Sequence, residues 1–245
     1  SLPDTPSFYK TMATETNEGA VLNLPMEWDR PGYLLYQTVH GKPLTAGYIS
    51  RTDPRTLPGR LPVISRFRHL QKDINWVDDI EAIAPTLFEF LDIHWLILDR
   101  YKMPPGATRD YNEELTDEIF GSASPSYQDD RLTVYELAPP AQRFPFVEIG
   151  WDFGPLEPGP TRSVVETASL VLHVPHPGDY ILTVTPALEN TTPWRLVNTD
   201  GVGLLSSPGG MGSIALTLNT NQKMLTIQAL GPGVNIHHIE IKFSP

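Results

Sequence analysis

The sequence predicts an α/β region over residues 1–138, followed by an all-β sandwich of jelly-roll type over residues 141–245. In the first region, apolar runs typical of strands alternate with segments of helical spacing, which is the pattern of a layered α/β structure. After Pro139 and Pro140 the apolar residues alternate singly, and turn signals recur at short intervals. That rhythm is typical of a β-sandwich, so the two prolines mark the predicted boundary.

The α/β region is expected to contain three strands and four helices. The strands are expected over residues 20–24, 93–98 and 132–137, and the helices within residues 1–17, 32–39, 78–91 and 108–120. Asp78 or Asp79 is expected to cap the third helix, and Pro85 is expected to divide it because proline removes a backbone donor. Residues 51–68, which contain several prolines, are expected to form a long connection.

One stretch, residues 22–51, gathers more hydrogen-bonding and aromatic side chains than any other part of the chain. On a helix, Tyr33, Tyr36, Gln37 and His40 would share one face, since they are spaced i, i+3, i+4 and i+7. This face either packs inward or lines a cleft, and the ordinary behaviour of Tyr and His favours packing. The candidate ligand-binding residues of the stretch are Tyr36, Gln37, His40, Tyr48 and Arg51.

The run YQTVHGKPLTAGYISR, preceded by VLNLP, resembles a segment of large bacterial polytopic membrane proteins that are similar to the GT-C class of glycosyltransferases. Those enzymes take sugars from lipid-linked donors. The resemblance implies a soluble region on the extracytoplasmic face of the membrane, with a glycan or lipid-linked sugar and the membrane part of the same parent chain as partners. It implies no catalytic residue here, because the catalytic carboxylates of that class are expected between its membrane helices.

The composition of the chain excludes several classes of function. The net charge is −11, and both regions are acidic, so no nucleic-acid partner is expected. No apolar run approaches the ~20 residues that a membrane helix needs. Because the sequence starts at Ser1 without a signal-like segment, it is expected to be a piece of a longer protein or a mature chain. The absence of cysteine excludes disulfides and thiolate chemistry within the chain.

The sandwich region carries the aromatic candidates. Trp151 and Trp194, with Phe153 and Tyr180, offer flat apolar faces that could stack on a pyranose ring. The alternative is that these rings plug the ends of the sandwich core. On the first interpretation the region is a domain like a carbohydrate-binding module, and Trp151 and Trp194 are ligand-binding candidates. The glycine-rich residues 201–212 lack the GK[ST] ending of a phosphate loop and are expected to be a mobile loop.

Four histidines invite a metal hypothesis, which the strand geometry disfavours. His173 and His176 form an HxxH motif, and His237 and His238 are adjacent. On a strand, neighbours and residues three apart point to opposite faces, so neither pair is suited to hold one ion. No metal and no cofactor are expected.

Two other sets of charged residues could serve a function or could have an ordinary structural role. The arginines of the connection over residues 51–68 could bind a phosphate or carboxylate, but intramolecular pairing is favoured. They are Arg51, Arg55, Arg60, Arg66 and Arg68. Carboxylate pairs such as Glu89 with Asp92, or Asp129 with Asp130, could serve glycoside hydrolysis only if they faced each other across a cleft.

Three functional hypotheses remain open. The first is a non-catalytic extracytoplasmic accessory domain of a membrane glycosyltransferase-like protein, which binds or positions a glycan. The second is a carbohydrate-active enzyme with an appended sugar-binding sandwich. The third is a structural or interaction module without a small ligand.

Overall fold

The computed structural model describes residues 5–26, 32–46, 56–121 and 123–244. The chain forms two compact units, which consist of Ser1–Pro58 with Asp79–Gln142, and of Gly59–Asp78 with Arg143–Pro245. We call them the α/β unit and the sandwich unit. The main part of the sandwich unit starts at Arg143, close to the boundary predicted at Pro139 and Pro140. It also takes in residues 59–78, which the sequence had placed in the first region.

The described residues contain five α-helices and thirteen strands. The helices are α1 (Ser7–Met12), α2 (Gly32–His40), α3 (Ile64–His69), α4 (Ile80–Phe90) and α5 (Ala107–Phe120). The strands are β1 (Ala20–Leu24), β2 (Ile93–Asp99), β3 (Tyr127–Gln128), β4 (Leu132–Glu136), β5 (Phe146–Ile149), β6 (Arg162–Val164), β7 (Thr167–His173), β8 (Gly178–Pro186), β9 (Trp194–Asn198), β10 (Gly203–Ser207), β11 (Gly212–Leu218), β12 (Gln222–Ala229) and β13 (Val234–Phe243). Short 3₁₀ helices cover Leu57–Arg60 and Arg100–Lys102. None of the helices in the described part of the chain has the length and apolar character that crossing a bilayer demands.

The α/β unit contains a four-stranded sheet in the order β1-β2-β4-β3. Strands β1 and β2 are parallel, whereas β4 runs antiparallel to both β2 and β3. One face of the sheet packs Val21, Trp95 and Ile97 against the apolar side of α1 and against α2. The three predicted strands and four predicted helices are present, which confirms the α/β assignment of this region.

Helix α4 differs from its prediction at one point. Asp79 caps the helix as expected, because its carboxylate accepts a hydrogen bond from the N–H of Ala82 at 3.0 Å. Pro85, however, lies inside a continuous helix, so the expected division is wrong. Ile83 and Leu87 are buried on either side of the proline, and their packing offsets the hydrogen bond that the proline cannot make.

The sandwich unit has two antiparallel sheets, in the orders β10-β9-β12-β7-β5 and β11-β8-β13-β6. Their inward side chains form one apolar core that includes Leu170, Leu182, Leu225 and Ile239. The apolar residues therefore alternate because every second side chain points into the sandwich core, as predicted, and the β-sandwich is confirmed. The expectation of a mobile loop over residues 201–212 is wrong, because strand β10 occupies its middle and pairs with β9.

Residues 59–78 belong to the sandwich unit because their side chains complete its core and its polar contacts. Ile74 is fully buried within the apolar core, and its carbonyl accepts a hydrogen bond from the N–H of Ile239 at 2.7 Å. Asp73 pairs with Arg162 through two hydrogen bonds of 2.7 and 2.6 Å. The side chain of Asn75 donates to the carbonyl of Val147 at 2.8 Å. The segment overlaps the connection that was expected over residues 51–68, and it contains helix α3.

Candidate functional site

The focal helix α2 turns its aromatic face inward. Tyr33, Tyr36 and His40 are all buried, as the favoured alternative predicted. Gln37 is half-buried, and its side-chain amide donates to the carbonyl of Lys42 at 3.2 Å. The face is therefore a contact surface within the α/β unit rather than the wall of an open cleft.

Tyr36 belongs to a buried network that ends at strand β2. Its hydroxyl accepts a hydrogen bond from Nη2 of Arg131 at 2.7 Å. The same guanidinium pairs with the Asp99 carboxylate through Nε at 3.1 Å and Nη2 at 2.9 Å. Burial alone would lower the pKa of Arg131, but the hydrogen bonds and charge of Asp99 raise it overall. Arg131 is therefore held as a cation inside the unit by a bidentate partner.

Aromatic stacking ties α1 to this network. The ring of Tyr9 stacks on Tyr36, with centroids 4.9 Å apart, and on His40 at 5.4 Å. Its hydroxyl donates to Oδ1 of Asn23 at 2.9 Å. Burial, followed by the nearby charge of Asp99, raises the pKa of Tyr9 well above its ordinary value. Tyr9 is thus a neutral core residue with its polar atom satisfied.

His40 is held in its neutral form. Its Nδ1 accepts a hydrogen bond from the backbone N–H of Lys42 at 3.0 Å. Burial and the charge of Lys42 lower the pKa of His40 to about 4. The Lys42 ammonium in turn donates to the carbonyl of Glu15 at 2.8 Å and to that of Asn17. Tyr48 and Arg51 lie outside the described residues, and the binding roles proposed for all five residues of this stretch stay predictions.

Trp151 stands on a turn that follows strand β5. Its side chain is 62% exposed. The next residue, Asp152, anchors the turn: its two carboxylate oxygens accept from the N–H of Ser169 at 2.9 Å, and Oδ1 also accepts from the Ser169 hydroxyl at 2.9 Å. The N–H of Gly150 donates to the Ser169 carbonyl at 2.7 Å. A side chain at Gly150 would collide with Asp152 and Ser169, so only glycine permits this close approach.

The other aromatic candidates of the sandwich are buried. Trp194 is 0% exposed, its Nε1–H donates to the carbonyl of Gly210 at 3.0 Å, and Gly212 leaves room for its ring. Tyr180 is equally buried and donates its hydroxyl proton to the carbonyl of His176 at 2.7 Å. These rings occupy the core as the alternative interpretation proposed, whereas Trp151 does not. A ligand-binding role for Trp194 stays a prediction, and it would require the ring to leave the core.

The α/β unit contains a polar cavity of about 410 Å³ that the sequence analysis did not find. Its lining residues are Leu98, Arg100, Arg109, Glu113, Thr116, Asp117, Thr133 and Tyr135. A signal was present in the sequence, since Arg109, Glu113 and Asp117 recur every four residues and lie on one side of helix α5. Their meeting with Arg100 after β2 and with Thr133 on β4 depends on the sheet, which no local pattern shows.

The Glu113 carboxylate holds the two arginine side chains that line the cavity. Glu113 accepts from Nε of Arg100 at 2.9 Å and from Nε of Arg109 at 3.3 Å. Arg100 also donates through Nη1 to the Thr133 hydroxyl at 2.8 Å. Burial and the charge of Asp117 raise the pKa of Tyr135, which is therefore protonated and able to donate a hydrogen bond. The cavity thus presents hydrogen-bond donors and acceptors from fixed positions.

The four histidines of the metal hypothesis have separate surroundings. Among the described residues, no group of three or more His, Cys, Asp or Glu side chains is arranged to hold a metal ion. His176, His237 and His238 each contact a backbone carbonyl, at 3.0, 3.2 and 3.0 Å. His173 lies 2.9 Å from Glu148, which also pairs with Arg60 at 2.6 Å. The Arg60–Glu148 pair agrees with the favoured intramolecular role of that arginine.

The carboxylates Asp129 and Asp130 build a turn. Asp129 accepts from the N–H groups of Arg131 and Leu132 and from the Tyr127 hydroxyl, at 2.8, 2.6 and 2.7 Å. Asp130 accepts from the Tyr101 hydroxyl at 2.7 Å. These hydrogen bonds explain why two acidic residues stand together before strand β4.

No protein-family model matches the chain, and no curated protein matches its sequence. Solved structures that match part of it include a family 35 carbohydrate-binding module from Clostridium thermocellum, at 15% identity and a TM-score of 0.31, covering 40% of this chain and 92% of that one. The mannan-binding module from Man5C in its bound conformation matches at 14% identity and a TM-score of 0.30, covering 40% and 98%.

The chain also matches a GH115 4-O-methyl-α-glucuronidase, BtGH115A, with specificity for decorated arabinogalactans. That match has 9% identity and a TM-score of 0.26, and it covers 35% of this chain and 14% of that enzyme. Scores this low carry no functional argument, so the function is argued below from the residues of this chain.

Proposed function

We propose that this chain is a non-catalytic glycan-binding module, in which the Trp151 ring of the sandwich unit stacks on a sugar ring. The observation that carries the proposal is a tryptophan that is 62% exposed on an anchored turn. The flat face of an indole ring suits the apolar face of a pyranose. Because the backbone of the turn is fixed before binding, little conformational entropy is lost when a ligand arrives.

The contrast within the sandwich supports this assignment. Trp194, Tyr180 and Phe153 are buried, so the fold has the means to bury large rings in its core. Trp151 instead extends from a turn whose hydrogen bonds hold it at the surface. Each 100 Å² of this apolar surface covered by a sugar would contribute roughly 2.5 kcal/mol before the costs of association.

Trp151→Ala tests the proposal. A glycan array identifies the sugars that the unaltered chain retains, and calorimetry then measures their affinity for both proteins. We expect Trp151→Ala to weaken binding by about tenfold or more, since stacking is lost. Met224→Ala is the matched control, because Met224 is half exposed on strand β12 and lies outside the turn. Equal affinity in all three proteins, or retention of no glycan by the unaltered chain, would refute the proposal.

The wider context that we propose is an extracytoplasmic accessory region of a membrane glycosyltransferase-like protein, which positions a glycan or lipid-linked sugar for the membrane part. Support comes from the resemblance of residues 21–51 to that class and from the acidic composition. Sequencing the gene upstream of Ser1 tests the context. Several apolar spans of ~20 residues are expected there, and an open reading frame that encodes none of them would refute a membrane parent.

A further inference from the structure

We propose a second ligand site in the α/β unit: the cavity between helix α5 and strands β2 and β4 binds one neutral pyranose unit. The proposal does not rest on Trp151, because every lining residue belongs to the α/β unit. The volume of about 410 Å³ lies within the range of small-ligand pockets and suits a single sugar ring.

The cavity wall is preorganised. Glu113 holds Arg100 and Arg109 by their Nε groups, and Thr133 fixes Arg100 a second time. The ring of Tyr135 stacks on Phe120, with centroids 3.9 Å apart and planes only 3° from parallel. These contacts hold the arginines, Glu113 and Tyr135 in place before a ligand binds, which reduces the entropy lost on association.

Several polar side chains that line the cavity can still form hydrogen bonds with a ligand. Within the described residues, the Asp117 carboxylate and the Tyr135 hydroxyl take part in no hydrogen bond, although both line the cavity. In the part of the chain that the structure describes, Arg109 donates a hydrogen bond only through its Nε, so its two terminal nitrogens remain available as donors. A carboxylate that accepts, guanidinium groups that donate and a phenol that does both match the hydroxyl groups of a sugar.

Charge decides in favour of a neutral ligand. Arg100 and Arg109 are balanced by Glu113 and Asp117, so the charged lining residues sum to zero. The chain as a whole carries a net charge of −11, which disfavours the approach of anions. A phosphate or a uronic acid would also bring its negative charge close to the carboxylates of Glu113 and Asp117, whereas a neutral pyranose adds hydrogen bonds without this repulsion.

The experiment measures binding of methyl glucoside, galactoside and mannoside to the full chain by saturation-transfer NMR and calorimetry. Glucuronate and inorganic phosphate serve as the anionic probes. All proteins carry Trp151→Ala, so that sugar bound at the sandwich turn does not contribute. A failure of the Trp151 proposal therefore does not affect the outcome of this test.

Tyr135→Phe removes a hydroxyl but keeps the ring that stacks on Phe120, and Asp117→Ala removes an acceptor at an exposed helix position. Each is expected to weaken pyranose binding by about tenfold, as the loss of one good hydrogen bond predicts. Glu114→Gln, an exposed charge change on the same helix outside the cavity lining, is expected to change nothing.

Three results would overturn the inference. They are the absence of pyranose binding in the Trp151→Ala protein, tighter binding of glucuronate or phosphate than of the neutral sugars, and equal affinity in the Tyr135, Asp117 and Glu114 variants. Thermal unfolding by circular dichroism verifies that each variant is folded at the temperature of the binding measurement.

Discussion

Tyr36 of the α/β unit and Trp151 of the sandwich unit were both candidate ligand-binding residues, and the structure gives them opposite surroundings. Tyr36 is buried, its ring stacks on Tyr9, and its hydroxyl accepts from Arg131 at 2.7 Å. Trp151 is 62% exposed and is held at the surface by the hydrogen bonds of Asp152.

The difference lies in where the polar atoms find their partners. In the α2 face, the Tyr36 hydroxyl and Nδ1 of His40 have protein partners, so these two atoms stabilise the unit. At the Trp151 turn, Asp152 and Gly150 form hydrogen bonds with Ser169, and the tryptophan ring is 62% exposed on this support. An aromatic cluster in a sequence can therefore meet a ligand only where the fold leaves its surface uncovered.

The largest expected effect comes from breaking the buried network behind Tyr36. Asp99→Asn removes the charge that partners Arg131 and leaves a guanidinium buried without its carboxylate. Removal of one member of a buried ion pair costs about 3–5 kcal/mol of unfolding free energy, which chemical denaturation measures.

The matched control is Asp130→Asn, an exposed carboxylate that accepts only the Tyr101 hydroxyl among its described contacts. We expect it to cost less than about 1 kcal/mol. If the two variants were equally stable, the network would not stabilise the unit, and the contrast with the exposed turn would lose its physical basis.

His40 is expected to make the stability of the α/β unit depend on pH. Its pKa is about 4 in the folded chain and about 6.5 when unfolded, so between these values the unfolded chain binds more protons. The stabilisation is complete above about pH 6.5 and is lost as the pH falls towards 4. At about 1.4 kcal/mol per pKa unit, the loss is at most about 3.5 kcal/mol.

Urea unfolding at a series of pH values checks this expectation. Carboxylates titrate over part of the same range, so the informative quantity is the difference between the unaltered chain and His40→Gln. That difference should shrink as the pH is lowered from 7 to 4. A difference that is constant with pH would mean that His40 is not held neutral by its burial.

The smallest effects are expected at the sandwich turn. Asp152→Ala leaves the Ser169 N–H without its acceptor and should cost about 1–2 kcal/mol of unfolding free energy. Trp151→Ala removes an exposed ring and should change it by no more than about 0.5 kcal/mol. Denaturation curves for both variants decide the point: a larger loss for Trp151→Ala would show that its ring stabilises the fold, and stacking would then be a structural role.

Much of the fold could be predicted because its signals are local. The alternation in β7 and β11, the Asp79 cap and the spacing along α2 each involve residues within a few positions of one another. The exceptions also have local causes. Strand β10 was hidden by glycines that are usual in loops, and Pro85 was given more weight than the burial of its neighbours.

The candidate sites were predicted less completely, because they depend on contacts between distant residues. Trp151 and Trp194 were both selected because of their residue type, and Trp194 is buried. The polar cavity was missed because Arg100, Glu113 and Thr133 come from three different elements.

By itself the sequence determined the two-part architecture, the element types and the absence of cysteine chemistry, since periodicity, capping and composition act over a few residues. Only the tertiary structure decided which aromatic rings are covered, which charges are paired and where a cavity remains. Tyr36 and Arg131 illustrate the reason: they lie 95 positions apart, and their hydrogen bond exists only once the sheet has brought helix α2 and the start of β4 together.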